Sequence, residues 1–507
     1  MIKLLLQGFA DFFSLTNFLY MALGLIVGVA FGALPGLGGA SAMILLMPLT
    51  FGMQPVSALI LLLAAYKGAM YGGSISAILI GTPGTPQAAL TVADGNALAK
   101  KGQGIKALKV SLIGSTTGDL FSDIVLVFGA FQLARIALKF GSPETAIVAI
   151  IALLLTGAAS GKTLSKGILS CLFGVFASMI GLDPITALPR LTFGSSNLMD
   201  GIQLVPMMMG FLAFSQLCLQ MDSIRSYSAG DQPAGYLPPP KEPSDTTVTR
   251  EELKLMRKPI LCGSIAGTII GILPGLGPTL GAIFGYDLAR RVSKNPSNFG
   301  KGSIEGIAGA ESGNSAVSGA NLVPLLGLGI PGDVGAAILV AAFLMLGFTP
   351  GPLIFQEAPN VIFSVYAGMI LSNLALLVIG WVLVKYLVRL AQTPVSLLFP
   401  VIMVLLVAGV YTTNQNIFDL WVMLFFGVLG YIMAKTQIPR IPFVIGFILG
   451  PILESNLTRA LIISRGSWSV FFKSTLAIVL WIICGLLAYL IYRQRRKTVY
   501  DETEVSF

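Results

Sequence analysis

An all-α polytopic membrane protein, with roughly 10–14 transmembrane helices at ~20 residues per span, some broken or re-entrant and arranged as two inverted-topology repeats, is the fold class the sequence predicts. Three observations predict it. Only 11% of the 507 residues are charged while 55% are apolar, against about 25% charged in soluble domains, and mean hydropathy is +0.85. The chain nevertheless carries 58 Gly and 28 Pro, which membrane helices tolerate where neighbours or a water-lined cavity satisfy the freed backbone groups. Finally, one pair of Pro-Gly motifs occurs twice in the same order.

Composition excludes much chemistry. With no histidine there is no Ser-His-Asp triad, His-ligated zinc or His proton relay. The four cysteines (Cys171, Cys218, Cys262, Cys484) are far apart and form no C-x-x-C, so they read as buried small hydrophobes and no metal site is expected. The net charge of +9 sits in short clusters between apolar runs: Lys100, Lys101, Lys106 and Lys109; Arg290, Arg291, Lys294 and Lys301; Arg493, Arg495, Arg496 and Lys497. The positive-inside rule explains these without nucleic acid and places the three clusters, with the C-terminus, in the cytoplasm.

The first apolar run, Phe18 to Leu34, reads as a retained span, because cleavage after it would cut into a motif that recurs later. Residues 1–221 form membrane repeat 1. Residues 222–258 hold six basic and six acidic residues with Pro233, Pro238, Pro239, Pro240 and Pro243, and read as a soluble, partly extended linker. Residues 259–492 form repeat 2 with following helices, and 493–507 a cytoplasmic tail.

The repeats themselves carry the strongest signal. Gly28 to Gly38 (GVAFGALPGLG) returns as Gly267 to Gly277 (GTIIGILPGLG), an offset of 239. Gly81-Thr82-Pro83-Gly84-Thr85 returns as Gly329-Ile330-Pro331-Gly332-Asp333, an offset of 248. The first basic loop follows the second motif of its half, whereas the second basic loop lies between the two motifs of its half. Equivalent points of the repeats then face opposite sides of the membrane.

Each Pro-Gly ends one half-helix and begins another. Thr85, with Pro86 next, and Asp333 are suited to cap the new half-helices. Free N–H groups and positive dipole ends at such breaks bind carboxylates, and glycine lets a ligand approach the backbone. The substrate-binding candidates are therefore Pro35, Gly36, Gly38, Ser74, Thr82, Gly84, Thr85, Pro274, Gly275, Gly277, Pro331 and Gly332. Ser76 adds a hydroxyl beside the first copy, and Glu311, Ser312, Asn314 and Asn321 precede the second.

The cation-coupling candidates are Asp94, Asp119, Asp123, Asn314 and Asp333. Asp94 serves either a cation or the turn with Gly95. Asp119 and Asp123, at i, i+4, are either a coupling site or a helix end near water. Lys67 either lies in the membrane interior or snorkels to the interface. Glu454 and Arg459 read as an interfacial turn.

At these residues the sequence resembles the large membrane subunit of the tripartite tricarboxylate transporters, the TctA type. The resemblance rests on residues 32–39, on Tyr71 to Ser74 with Gly81 to Pro86, Asp94-Gly95 and Lys100 to Gly102, and on Glu311 to Ala316 with Pro324 to Gly332 and Thr349 to Pro352. Gly313 and Asp333 depart from the family pattern. The resemblance implies a non-enzymatic secondary transporter of the bacterial inner membrane. A periplasmic solute-binding protein (TctC type) would deliver a small organic carboxylate, a small four-helix membrane subunit (TctB type) would accompany the chain, and sodium or protons would drive uptake. No other cofactor is expected, and no Walker motif is present. The alternatives are a channel and an intramembrane lipid-linked transferase; the latter needs a convergent acid, base or metal constellation that the sequence does not display.

Overall fold

The computed structural model describes residues 2–34, 38–159, 163–226, 242–391, 395–486 and Tyr489. Pro35 and Gly36 lie outside them, as does the tail 493–507. Among the described residues nine helices are long and apolar enough to cross a membrane, and five shorter apolar helices accompany them. The chain is thus an all-α polytopic membrane protein.

Repeat 1 runs through α1 (Ile2–Phe12), α2 (Leu15–Ala33), α3 (Gly38–Leu46), α4 (Pro55–Leu79), a 3-10 turn at Pro86–Ala88, α5 (Ala89–Lys100) and α6 (Gly104–Ala137). Next come α7 (Ser142–Ala159), α8 (Leu164–Ser178), a two-residue hairpin pairing Gly181–Leu182 with Pro189–Arg190, α9 (Leu204–Met208), a π turn and α10 (Ser215–Ser226). Repeat 2 comprises α11 (Arg250–Ile272), α12 (Gly277–Val292), α13 (Ile304–Ala320), α14 (Leu322–Leu328) and α15 (Val334–Met345). The remainder is α16 (Ile354–Glu357), α17 (Pro359–Ala391), α18 (Val395–Asn414), α19 (Ile417–Lys435) and α20 (Arg440–Ile463).

The stretch 222–258 is less a linker than its charge predicts. Residues 227–241 lie outside the described ones, but Arg250 to Lys258 already belong to α11. A capping box starts that helix: Glu252 N–H donates to Thr249 Oγ1 at 3.2 Å and Thr249 N–H donates to Glu252 Oε2 at 2.7 Å. Two orphan donors are satisfied before the apolar run begins.

The sequence offsets continue into the packing. In α2, Gly24, Gly28 and Gly32 lie on Leu61, Ala65 and Ala69 of α4; in α11, Gly263, Gly267 and Gly271 lie on Gly309, Gly313 and Val317 of α13. The α2 glycines map onto the α11 glycines at 239, and their α4 partners onto the α13 partners at 248. Helices meet this closely only across small residues, since a Cβ on Gly28 or Gly267 would strike the carbonyl oxygen of Ala65 or Gly313. Backbone geometry repeats too: Gly38 and Gly277 have φ of +65° and +69°, Gly81 and Gly329 +79° and +76°.

The repeats exchange contacts rather than standing side by side. The turn Pro86–Ala88, after the second break of repeat 1, packs on α12, which follows the first break of repeat 2. Reciprocally, α15, after the second break of repeat 2, packs on α3, which follows the first break of repeat 1. Lys101 Nζ donates to Lys301 O at 2.8 Å, so the loop after α5 and the loop between α12 and α13 share one end. These loops hold non-equivalent places in their repeats, the relationship that oppositely directed repeats require.

By compactness the described residues divide into those within 1–135 and 203–432, and those within 136–202 and 433–507. The first unit contains the Pro-Gly motifs of both repeats. The second holds α7, α8, the hairpin and α20. There Glu454 is no turn residue: it lies inside α20 and pairs with Arg190, which also reaches Asp183 at 3.3 Å.

Candidate functional site

Within the first unit the two motifs of each half lie against one another. In repeat 2 the Gly275 N–H donates to Gly332 O at 2.7 Å. In repeat 1 a Cβ on Gly84 would strike Gly32 O and lie 2.7 Å from Ser76 Oγ, and one on Gly38 would lie 3.6 Å from Thr85 Cγ2. Gly84, Gly275, Pro331 and Gly332 are buried; Gly38, Pro274 and Gly277 are half-buried. Thr82 is exposed, apart from buried Ser74 and Thr85.

The two caps differ. Asp333 caps α15, accepting from Ala336 N–H at 2.8 Å, and it also accepts from Asn321 Nδ2 at 2.7 Å and from the Tyr66 hydroxyl. Asn321 Nδ2 lies 3.1 Å from that same hydroxyl. Thr85 stands at the equivalent N-cap position but makes no side-chain cap; the chain closes a 3-10 turn there through Ala88 N–H to Thr85 O at 3.1 Å. The expected capping role of Thr85 is thus corrected: its Oγ1 is buried and has no hydrogen-bond partner.

A second cluster gathers on α4, α6, α13 and α17. Lys67, 1% exposed, lies 3.1 Å from Asp119 and 2.6 Å from Asp123. Asn373 Nδ2 donates to Asp123 at 2.7 Å, and the Ser318 hydroxyl donates to Asp119. Lys67 is therefore an interior cation, not a snorkelling one, and the two aspartates are buried rather than set at a watery helix end. The i, i+4 spacing puts both on one face of α6, within reach of one ammonium.

The third centre is Glu311 on α13, 1% exposed. It accepts from Ser74 at 2.5 Å, from Ser115 at 3.0 Å and from Thr91. No Lys or Arg among the described residues lies within ion-pair distance of it. Asn314, one turn on, donates weakly to Met70 O at 3.5 Å while its Oδ1 has no partner.

Asp94 holds two elements together. It accepts from Tyr286 at 2.9 Å, Gly302 N–H at 2.9 Å and Ser303 N–H at 2.8 Å, and so ties α5 to α12 and to the start of α13. Sequence reasoning does not single out Tyr66, Asn373 or Ser318 as site residues. The one signal for Tyr66 is positional, since the 248 offset maps it onto Asn314.

Broken helices from two interleaved repeats, set beside buried carboxylates in a polytopic bundle, define a membrane transporter. The chain matches the model of the Tripartite tricarboxylate transporter TctA family over residues 18–445, and it belongs to that family. It is 33% identical over 501 residues, 98% of each chain, to an Agrobacterium vitis protein described as "Uncharacterized 52.8 kDa protein in TAR-I ttuC' 3'region". It is also 38% identical over 223 residues, 43% of this chain and 92% of the other, to the "Uncharacterized protein in TAR-II ttuC' 3'region" of the same organism.

Proposed function

We propose that this chain is the large membrane subunit of a binding-protein-dependent secondary transporter that takes up a small organic carboxylate, of the tricarboxylate or dicarboxylate class, with sodium or protons. Its place is the bacterial inner membrane, with the C-terminus in the cytoplasm. A periplasmic binding protein of TctC type hands over the substrate, and a four-helix subunit of TctB type completes the membrane part.

The observation that carries this reading is the exchanged packing of the helix breaks: the turn Pro86–Ala88 on α12, and α15 on α3. Breaks that meet inside a bundle offer N–H groups to an anion and carbonyl, hydroxyl and carboxylate oxygens to a cation. Opposed repeats give two arrangements of similar energy, which alternating access requires. A channel filter or a transferase centre does not need two opposed copies of a two-break motif.

Uptake of labelled carboxylates into proteoliposomes tests it. The expected result is concentrative uptake that depends on an imposed sodium or proton gradient and on the binding protein. Uptake that only equilibrates sinks the transporter reading in favour of a channel, and none under either gradient sinks it altogether.

A further inference from the structure

On the reading that an anion and a cation move together, we infer that a hard monovalent cation, sodium above all, binds where Glu311 and Asn314 of α13 meet Thr85 and the Met70–Ser74 turn of α4. The 248 offset pairs Tyr66 with Asn314, Lys67 with Ser315, Gly73 with Asn321 and Thr85 with Asp333.

At one crossing of the repeats Tyr66, Asn321 and Asp333 are mutually hydrogen-bonded and Lys67 supplies an ammonium to Asp119 and Asp123, so that each of these side chains has a partner although Asn321 Oδ1 and Asp123 Oδ1 accept no hydrogen bond. At the exchanged crossing the same places hold Asn314, Gly73, Thr85 and Ser315. There Asn314 Oδ1, Thr85 Oγ1 and Ser315 Oγ are all buried without a hydrogen-bond partner. A buried oxygen left without a partner is destabilising, so a ligand that serves it gains by binding there.

One turn of α4 brings the group together. Met70 O takes the weak hydrogen bond from Asn314, Gly73 lies against the Thr85 side chain, and Ser74 donates to Glu311. Glycine at 73 leaves room that its counterpart Asn321 fills at the other crossing.

Charge points the same way. Lys67 and Lys106 are the buried basic side chains among the described residues, and Lys106 is taken by Glu252 at 3.0 Å. Glu311 faces hydroxyls alone. A carboxylate, an amide oxygen and hydroxyls form the all-oxygen set of a hard cation, and a single carboxylate suits one positive charge better than two. A proton on Glu311 would neutralise that carboxyl but leave Asn314 Oδ1 and Thr85 Oγ1 unserved.

Equilibrium binding of radioactive sodium to the purified full-length chain in detergent tests the site without requiring transport. Saturable binding is expected, weakened about tenfold by Thr85→Val or Asn314→Ala, the loss of one good oxygen contact, and kept by Thr85→Ser. Thr85→Val removes no protein hydrogen bond and so is expected to unfold at the wild-type temperature; the exposed change Asp287→Asn is expected to bind sodium as wild type. Full sodium affinity in Thr85→Val and Asn314→Ala overturns the inference. Wild-type protein that takes up carboxylate on a proton gradient but binds no sodium also overturns it and leaves the transport reading standing; failure of uptake under either gradient removes the transport reading itself.

Discussion

The Gly275 N–H and the Gly332 carbonyl are joined by a 2.7 Å hydrogen bond, which ties the two helix breaks of repeat 2 to each other. The breaks are one structure, not two loops. A methyl group on Gly332 would lie 2.6 Å from Asn321 Cβ, and one on Gly84 would lie 2.7 Å from Ser76 Oγ besides striking Gly32 O. Gly332→Ala and Gly84→Ala are each expected to cost about 1–3 kcal/mol through overpacking and to reduce carboxylate uptake several-fold beyond any loss of folded protein. Uptake per folded molecule, with folding followed by thermal unfolding in detergent, checks this.

The small-residue seams make a sharper comparison. Gly28→Ala and Gly267→Ala push a methyl against a backbone carbonyl of the facing helix, whereas at Gly129 the nearest atom to an added Cβ is 3.8 Å away. The first two changes are expected to destabilise by about 1–3 kcal/mol, and Gly129→Ala to be neutral or slightly stabilising through helix propensity. Unfolding midpoints of the three variants decide the matter.

Lys67 is expected to behave as the hub of its cluster. Lys67→Met leaves Asp119 and Asp123 without an ammonium and should cost about 3–5 kcal/mol, the usual loss on breaking a buried ion pair from one side. Adding Asp119→Asn and Asp123→Asn should restore much of that. If the triple variant is no more stable than the single one, the aspartates are not what Lys67 neutralises.

Asp94 is expected to show itself as a tether. Asp94→Ala removes the acceptor for the Gly302 and Ser303 amides, so those amides should exchange with solvent faster while amides in the middle of α13 stay protected. Mass-spectrometric hydrogen exchange reads this directly; unchanged protection at Gly302 and Ser303 would refute the tether.

Much of this fold is legible in the residues. The offsets 239 and 248, read from two short motifs, extend through the facing glycines of α2 and α11 and through their partners on α4 and α13. The basic loops near Lys101 and Lys301, grouped on one side by their charge alone, do meet in the structure, because loop charge is written in the sequence and needs no packing to be seen.

What the sequence hides is partnership. Asp94, Asp119, Asp123 and Asp333 look alike as acidic residues near apolar runs, yet one ties its helix to α12 and to the start of α13, two share an ammonium and one caps a helix. Their partners lie on other helices, as with Tyr286, Lys67 and Tyr66, and no local periodicity announces such contacts. Thr85 misleads for a similar reason: it has the residue type and the following proline of a cap, but the 3-10 turn after it satisfies Ala88 N–H from the backbone and leaves the hydroxyl aside.

The exchange of contacts between repeats also sets a timetable for the nascent chain. The turn Pro86–Ala88 rests on α12, whose last residue is Val292. At about 5–20 residues per second, the ribosome needs on the order of 10–40 s to supply that partner. During that interval the first repeat sits in the bilayer as half of a lock, its small-residue seam between α2 and α4 already closed but its second break unmatched. That intramembrane seam, both of whose faces belong to the early half, is what can hold it in shape until the later one arrives.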